Sequence, residues 1–378
     1  MQSRVIMLVD LDYFFAQAEE LRNPSIRDKP VVVCVYSGRT ETSGAVSTAN
    51  YLARKFGVKS GMPIVQAKRR LRDAEPVFLP VDYGYYETVS EKIMNLLRAH
   101  ADQFEQVGID EAYLDVTQRT KADYEDAAAL AQDIRKETVA RQGLTCSIGL
   151  GPNKLVAKMA ADINKPDGLT IVKPHEVAAF LAAMPVDRLI GVGSKTKERM
   201  QKLGITTIGE LANYDVQRLL DAFGRKLGLY FHNASAGADD EPVQQRGEAE
   251  SISRIATLKE DTCELGPILE RAEVECEEVH ADLIRGGFSF RTVTIMVVAK
   301  DMSVHSRSRS LDYSSDRLDV LKDTVREILT HLLAECDLEI RRVGVKVSGL
   351  AKRSEAQKRL TSFIEERSNQ SDKKQAYI

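Results

Sequence analysis

The chain lacks tryptophan altogether, and aromatics make up only 6% of it, so its cores must be packed mainly with aliphatic side chains. It also lacks any apolar run near the roughly 20 residues of a helical membrane span. The opening MQSRVIMLVD has a short apolar stretch and then an acid, the pattern of a buried strand and not of a signal peptide. Cysteine is sparse: Cys34, Cys146, Cys263, Cys276 and Cys336 are odd in number, scattered, and form no CxxC pair. That spacing excludes a disulfide framework and a zinc site, and it fits a reducing cytoplasm. None of the six histidines stands at metal-ligand spacing from another. An excess of positive charge is missing too, since the formal net charge is -3. A nucleic-acid partner is therefore not announced by the total, and any basic surface has to be local.

What is present is an ordinary soluble composition, 43% hydrophobic and 29% charged over 378 residues, enough for two to four domains. RVIMLV runs without polar alternation into Asp10, as a strand buried on both faces does. FFAQAEEL reads as a short helix, VVVCVYS as another buried strand, and NYLARKFG and IVQAKRRL as short helical pieces. Tyr83 to Phe104 carries a helical stripe of Tyr86, Val89, Ile93, Leu96 and His100. EQVGI and AYLDV are strands joined at Asp110–Glu111, Ala122 to Gln142 is a second long helix, and TCSIGLG is a strand. The order predicts an α+β sheet domain with helices on one face. After Pro174 come short helices with glycine turns. The polar segment AGADDEPVQQRGEAES reads as a linker, and the remainder spells strand, helix, strand, strand, helix, strand, the split β-α-β-β-α-β pattern.

Three acids fall at strand ends: Asp10, Asp110 and Glu111. Oxygen-only ligands suit hard ions such as magnesium, and two such ions can flank a phosphate undergoing in-line displacement. An acid at a strand end is more often a turn or cap residue, as is expected of Asp12 and Asp115. Adjacent carboxylates in GIDEAYLD are less ordinary, because they repel unless a cation or solvent separates them. Tyr51 and Arg54 stand one helical turn apart and can face one ligand. Lys154 and Lys158, also at helical spacing, fit either a phosphate backbone or an exposed helix face. IGVG, residues 190–193, is the form of a hairpin whose backbone N–H groups approach a phosphate, with AFGRKLG (Gly224, Arg225) a weaker second copy.

VDLDYFFAQAEE, GAVSTANYLARKFGVKSGMP, GIDEAYLDV, SIGLGPNKLVAKMAADINKPDG and IGVGSKTKERMQKLGI resemble, in this order, the motifs of DinB-type Y-family DNA polymerases, most closely archaeal ones. The resemblance runs from Arg4 to about Gly349. It implies a right-hand polymerase: palm from residues 1–14 and 80–172, small fingers from 15–79, a helix-hairpin-helix thumb from 173–235, a linker at 236–250, a C-terminal little finger at 251–350 and a tail at 351–378. It implies a template-directed, low-fidelity, distributive translesion enzyme, with two magnesium ions held by Asp10, Asp110, Glu111 and the Leu11 carbonyl. Phe14, Phe15, Ser47, Thr48, Tyr51, Arg54 and Lys165 are then expected around the incoming deoxynucleotide, with Phe15 as the steric gate against ribose. Gly191, Gly193 and Lys195 are expected on primer-template DNA. So are Arg307, Arg309, Arg342 and Lys346, on one basic sheet face.

In the tail, Gln357, Leu360, Phe363 and Ile364 resemble a sliding-clamp-binding box. A monomer without membrane contact is expected. Two other readings stay beside this one. A nucleotidyl transferase restricted to one nucleotide needs a base-reading insertion that the sequence does not show. A non-catalytic DNA-binding scaffold expects degraded carboxylates, and all three are present.

Overall fold

The computed structural model describes residues 4–352 apart from 246, 336 and 337. They form two compact units, one drawn from residues 4–36 and 44–247, the other from residues 37–43 and 248–352.

The first unit begins with β1 (Ile6–Leu11) and α1 (Phe14–Arg22). β2 (Val31–Tyr36), β3 (Gly44–Ala49), α2 (Tyr51–Lys55), α3 (Ile64–Arg70) and β4 (Val77–Pro80) follow. β3, β2 and β4 make a small sheet of their own over an aliphatic core that includes Val32, Val46, Ile64 and Leu71. Next come α4 (Tyr83–Ala99), β5 (Gln103–Gln106), β6 (Glu111–Asp115), α5 (Tyr124–Gln142), β7 (Cys146–Gly151), α6 (Lys154–Ala161) and β8 (Leu169–Ile171). Their strands join β1 in a five-stranded sheet of order β5-β6-β1-β7-β8, with β1 at the centre as its unbroken apolar run requires.

Both faces of this sheet are covered, which corrects the expectation of helices on one face. Met7, Val9 and Leu11 pack with Tyr86, Ile93 and Leu97 of α4 and Ile134 of α5, while Ile6 and Leu8 turn the other way onto Ala157 and Ala161 of α6. Glycine makes the second layer possible. A Cβ on Gly149 of β7 would overlap the Ala157 carbonyl and the Ala161 nitrogen, so only glycine admits α6 this close. The long helix expected to Phe104 stops at Ala99, because Phe104 pairs with Leu114 in β5 and β6.

α7 (Val177–Ala182), α8 (Ser194–Lys202), α9 (Ile208–Ala212) and α10 (Val216–Ser235) complete this unit around Val186, Met200, Ile208, Leu211 and Phe231. α10 is two helical pieces meeting at Gly224, where φ is 77° and ψ 164°. The segment expected as a linker is held along its first half. Arg4 donates to the Asp239 carbonyl (2.9 Å), the Asp239 carboxylate accepts from Leu155 N–H (3.0 Å), and Val243 is buried.

In the second unit β9 (Ser251–Thr262), α11 (Leu265–Arg285), β10 (Phe288–Ala299), β11 (Val304–Ser315), α12 (Leu318–Glu335) and β12 (Ile340–Ser348) follow the order read from the sequence. The antiparallel sheet runs β11-β10-β12-β9, and a short β13 (Ala351–Lys352) pairs with β10. Val293, Ile295, Val297, Val343, Val345 and Val347 face α11 and α12. Period-2 alternation leaves the other side of the sheet open. No described helix is long and apolar enough to cross a membrane.

Candidate active site

The antiparallel pairing of β1 and β6 sets Asp10 directly opposite Glu111, and Leu11 N–H donates to the Asp110 carbonyl at 2.8 Å. The three expected carboxylates are thus brought to one end of one sheet by strand register alone. Ser90 of α4, itself buried, donates its hydroxyl to the Ile109 carbonyl and steadies the turn. Burial, then the negative charges of Asp10 and Glu111, push the Asp110 carboxyl up to about 6.

Two lysines answer this charge. Lys158, on α6, sits in ion-pair contact with Glu111 and 3.6 Å from Asp10. Lys165 stands 2.8 Å from Asp10 and 2.7 Å from Asp162. Burial works against the charge on both, yet the neighbouring carboxylates hold their pKa above the ordinary lysine range. The alternatives left open for Lys154 and Lys158 are therefore both replaced. Lys158 belongs to the carboxylate cluster, and Lys154 is buried against Glu105 (2.8 Å) and reaches Glu241 (3.1 Å).

Among the described residues no three His, Cys, Asp or Glu side chains already enclose a metal position. The Lys158 ammonium stands between Asp10 and Glu111 instead. The donor set of carboxylates and a backbone carbonyl nonetheless suits a hard divalent cation.

Tyr51 and Arg54 open α2. Asn50 caps that helix by accepting from Ala53 N–H (3.0 Å), and its amide donates to Glu20 (2.8 Å) and to the Lys29 carbonyl (2.8 Å). Arg54 lies over the Tyr51 ring, 4.9 Å from its centroid, and donates to the Ala49 carbonyl at 2.8 Å. Burial raises the Tyr51 pKa, Asp12 and Asp10 raise it further, and Arg54 and Lys165 oppose them, so the tyrosine shares the field of the carboxylate cluster. Ser47 and Thr48 lie half-buried on β3.

Phe15 is half-buried and stacks on Tyr86 at 4.4 Å with the rings 14° apart. Tyr83 meets it edge-on at 6.0 Å. Phe14 differs: the residue is 2% exposed and packed in the core, so its side chain is not offered to a ligand.

In the hairpin before α8, Gly191 has φ 85°, a conformation that favours glycine, and Gly193 sits at the helix N-terminus. Both glycines and Lys195 are exposed, while Lys197 pairs with Asp187 at 2.7 Å.

In the second unit the four expected basic residues do not share a face. Arg307 and Arg309 are register partners of the core-facing Ile295 and Val293, so they project to the helix side and pair with Glu335 and Glu327 of α12. Arg342 and Lys346 are exposed on the open side, opposite Thr257 and Ser253. Hydroxyls line that side further, with Thr292 to Ser310 at 3.0 Å and Thr294 to Ser308 at 2.8 Å. Gln357, Leu360, Phe363 and Ile364 lie outside the described residues.

Comparison with known proteins adds a family to this geometry. Residues 9–162 match the impB/mucB/samB family, residues 249–360 its C-terminal domain, and residues 187–239 the thumb domain described for DNA polymerase-iota. The chain is 44% identical over 365 residues to DNA polymerase IV of Nitrosopumilus maritimus, covering 96% of this chain and 100% of the relative. It is 36% identical to DNA polymerase IV of Saccharolobus solfataricus, covering 92% and 96%. Among solved structures, a Y-family polymerase chimera of Dbh and Dpo4 aligns with a TM-score of 0.87 at 35% identity, over 92% of this chain and 100% of that one. An insertion ternary complex of Dbh DNA polymerase aligns at 0.65 and 35% identity with the same coverage.

Proposed function

From the premise that the chain belongs to the Y-family DNA polymerases of the polymerase IV group, and is a DNA-directed DNA polymerase with the right-hand fold of that family, we propose a low-fidelity translesion enzyme that extends primer 3'-ends distributively. The observation that carries the chemistry is the cross-strand pair Asp10 and Glu111, with Asp110 beside them and two lysines drawn to the cluster. Asp10, Asp110, Glu111 and the Leu11 carbonyl would hold two divalent ions, magnesium by choice of donor. When bound, such ions supply activation of the primer 3'-hydroxyl and stabilisation of the departing pyrophosphate.

The chain's own residues do the positioning. Arg54, Tyr51 and Lys165 take the β- and γ-phosphates, Arg as a fork and Lys as a point charge. Lys158, paired with Glu111 and 3.6 Å from Asp10, would balance the negative charge of the same carboxylates. Ser47 and Thr48, small side chains, line the base side, the backbone at Phe14 flanks the nucleotide, and the Phe15 ring lies beneath the sugar. Gly191, Gly193 and Lys195 hold the primer-template backbone without reading sequence, and the open sheet face with Arg342 and Lys346 adds further phosphate contact.

The division into palm (1–14, 80–172), fingers (15–79), thumb (173–235), linker (236–250), little finger (251–350) and tail (351–378) is part of this proposal. The enzyme acts as a monomer in the cytoplasm and meets a sliding clamp through Gln357, Leu360, Phe363 and Ile364. Deleting residues after Ser354 is expected to remove clamp stimulation and spare basal synthesis. Running-start extension with excess trap duplex tests the main reading. Short products, including ones that pass an abasic template site, support it. Long products that halt at the lesion contradict it.

A further inference from the structure

Asp12 is 1% exposed, and no lysine or arginine pairs with it among the described residues. Three uncharged donors satisfy it instead. Its Oδ2 accepts from the Thr145 hydroxyl (2.8 Å) and from Asp167 N–H (2.8 Å), and its Oδ1 accepts from the Ser147 hydroxyl (2.7 Å). Ser147 in turn accepts from Gly168 N–H (3.2 Å). Gln17 braces the other side, donating to the Asp12 carbonyl (2.8 Å) and accepting from Thr145 N–H (2.6 Å).

The network has a direction. Asp12 and Thr145 belong to the end of the sheet that carries Asp10, whereas Asp167 and Gly168 belong to the turn that carries Lys165. A carboxylate is costly to bury, and an apolar or amide side chain would fill the same space. Here the carboxylate offers enough lone pairs to accept from the sheet and from the turn at once. Arg135 secures the outer side of the turn by donating to the Asp167 carbonyl and carboxylate.

We propose that Asp12 is a positioning residue for Lys165. Its carboxylate ties the 164–168 turn to the sheet, fixes the lysine ammonium beside Asp10, and thereby sets the affinity for the incoming triphosphate. It touches neither substrate nor ion. The proposal rests on the reading of Lys165 as a triphosphate contact.

Single-turnover insertion of one deoxynucleotide, measured for apparent nucleotide Kd and maximal rate, tests it in a cycle of Asp12→Ala, Lys165→Ala and the double variant. Each single change is expected to weaken nucleotide binding about tenfold, as loss of a charged hydrogen bond does, with a smaller effect on rate. The double variant is expected to be no more than about twofold worse than Lys165→Ala, because the two act through one group.

Asp12→Asn, whose oxygen can still accept from Thr145 and Asp167 while Ser147 reverses to accept from its amide, is expected to restore most of the affinity. An Asn variant as weak as Ala overturns positioning in favour of charge. Full additivity in the double variant overturns the route through Lys165 while leaving the Lys165 reading intact. Unchanged nucleotide affinity in Lys165→Ala removes that reading and the proposal with it. Should Asp12→Ala not fold, Thr145→Val deletes one donor to Oδ2 at constant volume and carries the same cycle. An affinity within twofold of wild type then counts against the proposal.

Discussion

Asp10 on β1 and Glu111 on β6 are direct cross-strand partners, and the Lys158 ammonium is within ion-pair reach of both. Strand register therefore fixes two carboxylates side by side, and the helix across the sheet face supplies the cation that lets them stay there.

On the proposed ion site, Lys158 would compete with a divalent ion for the same carboxylate oxygens. Lys158→Met removes that competitor and keeps the apolar stem. Calorimetric titration with Mn2+ in the absence of DNA is expected to show binding tightened about threefold or more, since each unit of removed positive charge nearby favours a cation. Weaker binding would mean that Lys158 helps assemble the ion site instead of guarding it.

Asp110 has a folded pKa of about 6, above the ordinary aspartate value of 3.8, chiefly through burial. Between those values the folded form holds a proton that the unfolded form has lost. The contribution to stability is present below the unfolded value and is lost as pH rises through about 6. Asp110→Asn removes that loss, so without divalent ions at pH 7.5 it is expected to be more stable than wild type by on the order of 3 kcal/mol. At pH 4 the two should melt together. Melting curves with chelator at both pH values decide this, and a variant less stable at pH 7.5 would contradict the assignment of Asp110 as a destabilised acid.

Phe15 stacks on Tyr86, which holds its ring in one orientation. As the proposed sugar gate it would exclude a 2'-hydroxyl by bulk. Phe15→Ala is therefore expected to lower discrimination between deoxy- and ribonucleotides by about a hundredfold, the upper range for one shape contact. Competition kinetics with paired nucleotides reads this directly, and unchanged discrimination rules the gate out.

The second unit separates its basic residues into two classes. Arg342→Ala with Lys346→Ala is expected to reduce the slope of log affinity against log salt by about 2 for duplex primer-template. Arg307→Ala with Arg309→Ala should change it by less, because Glu335 and Glu327 already neutralise those side chains. Equal slopes for the two double variants would show that the ion pairs open on DNA.

Much of this was legible in the sequence because the chemistry is written in contiguous strings. A buried strand ending in Asp10, the GIDE turn, and helices opening at Tyr51 and Lys154 each carry their own local signal. The order of elements in the C-terminal unit was also readable from its alternation of periods. What local patterns cannot give is register. Alternation places Arg307 and Arg309 on one face of their strand, but pairing with Ile295 and Val293 decides that this is the helix side. Asp12 looked like a turn acid, since its partners Thr145, Ser147 and Asp167 are more than 130 residues away. Asn50 shows the same limit: inside a recognisable string, it works by joining α2 to Glu20 and Lys29. Gly149, read only as part of the TCSIGLG strand, is a local sign of the second helix layer, because strand glycines mark close backbone approach.

Asp10, Asp110 and Glu111 are proposed to form the ion-dependent polymerising site. Extension of a labelled primer on a template, with magnesium and all four deoxynucleotides, tests it most directly when wild type and Asp110→Ala are compared at matched DNA binding. Template-dependent products from wild type, lost by at least about a thousandfold in Asp110→Ala, are the expected result. A variant that extends the primer as wild type does would contradict the claim.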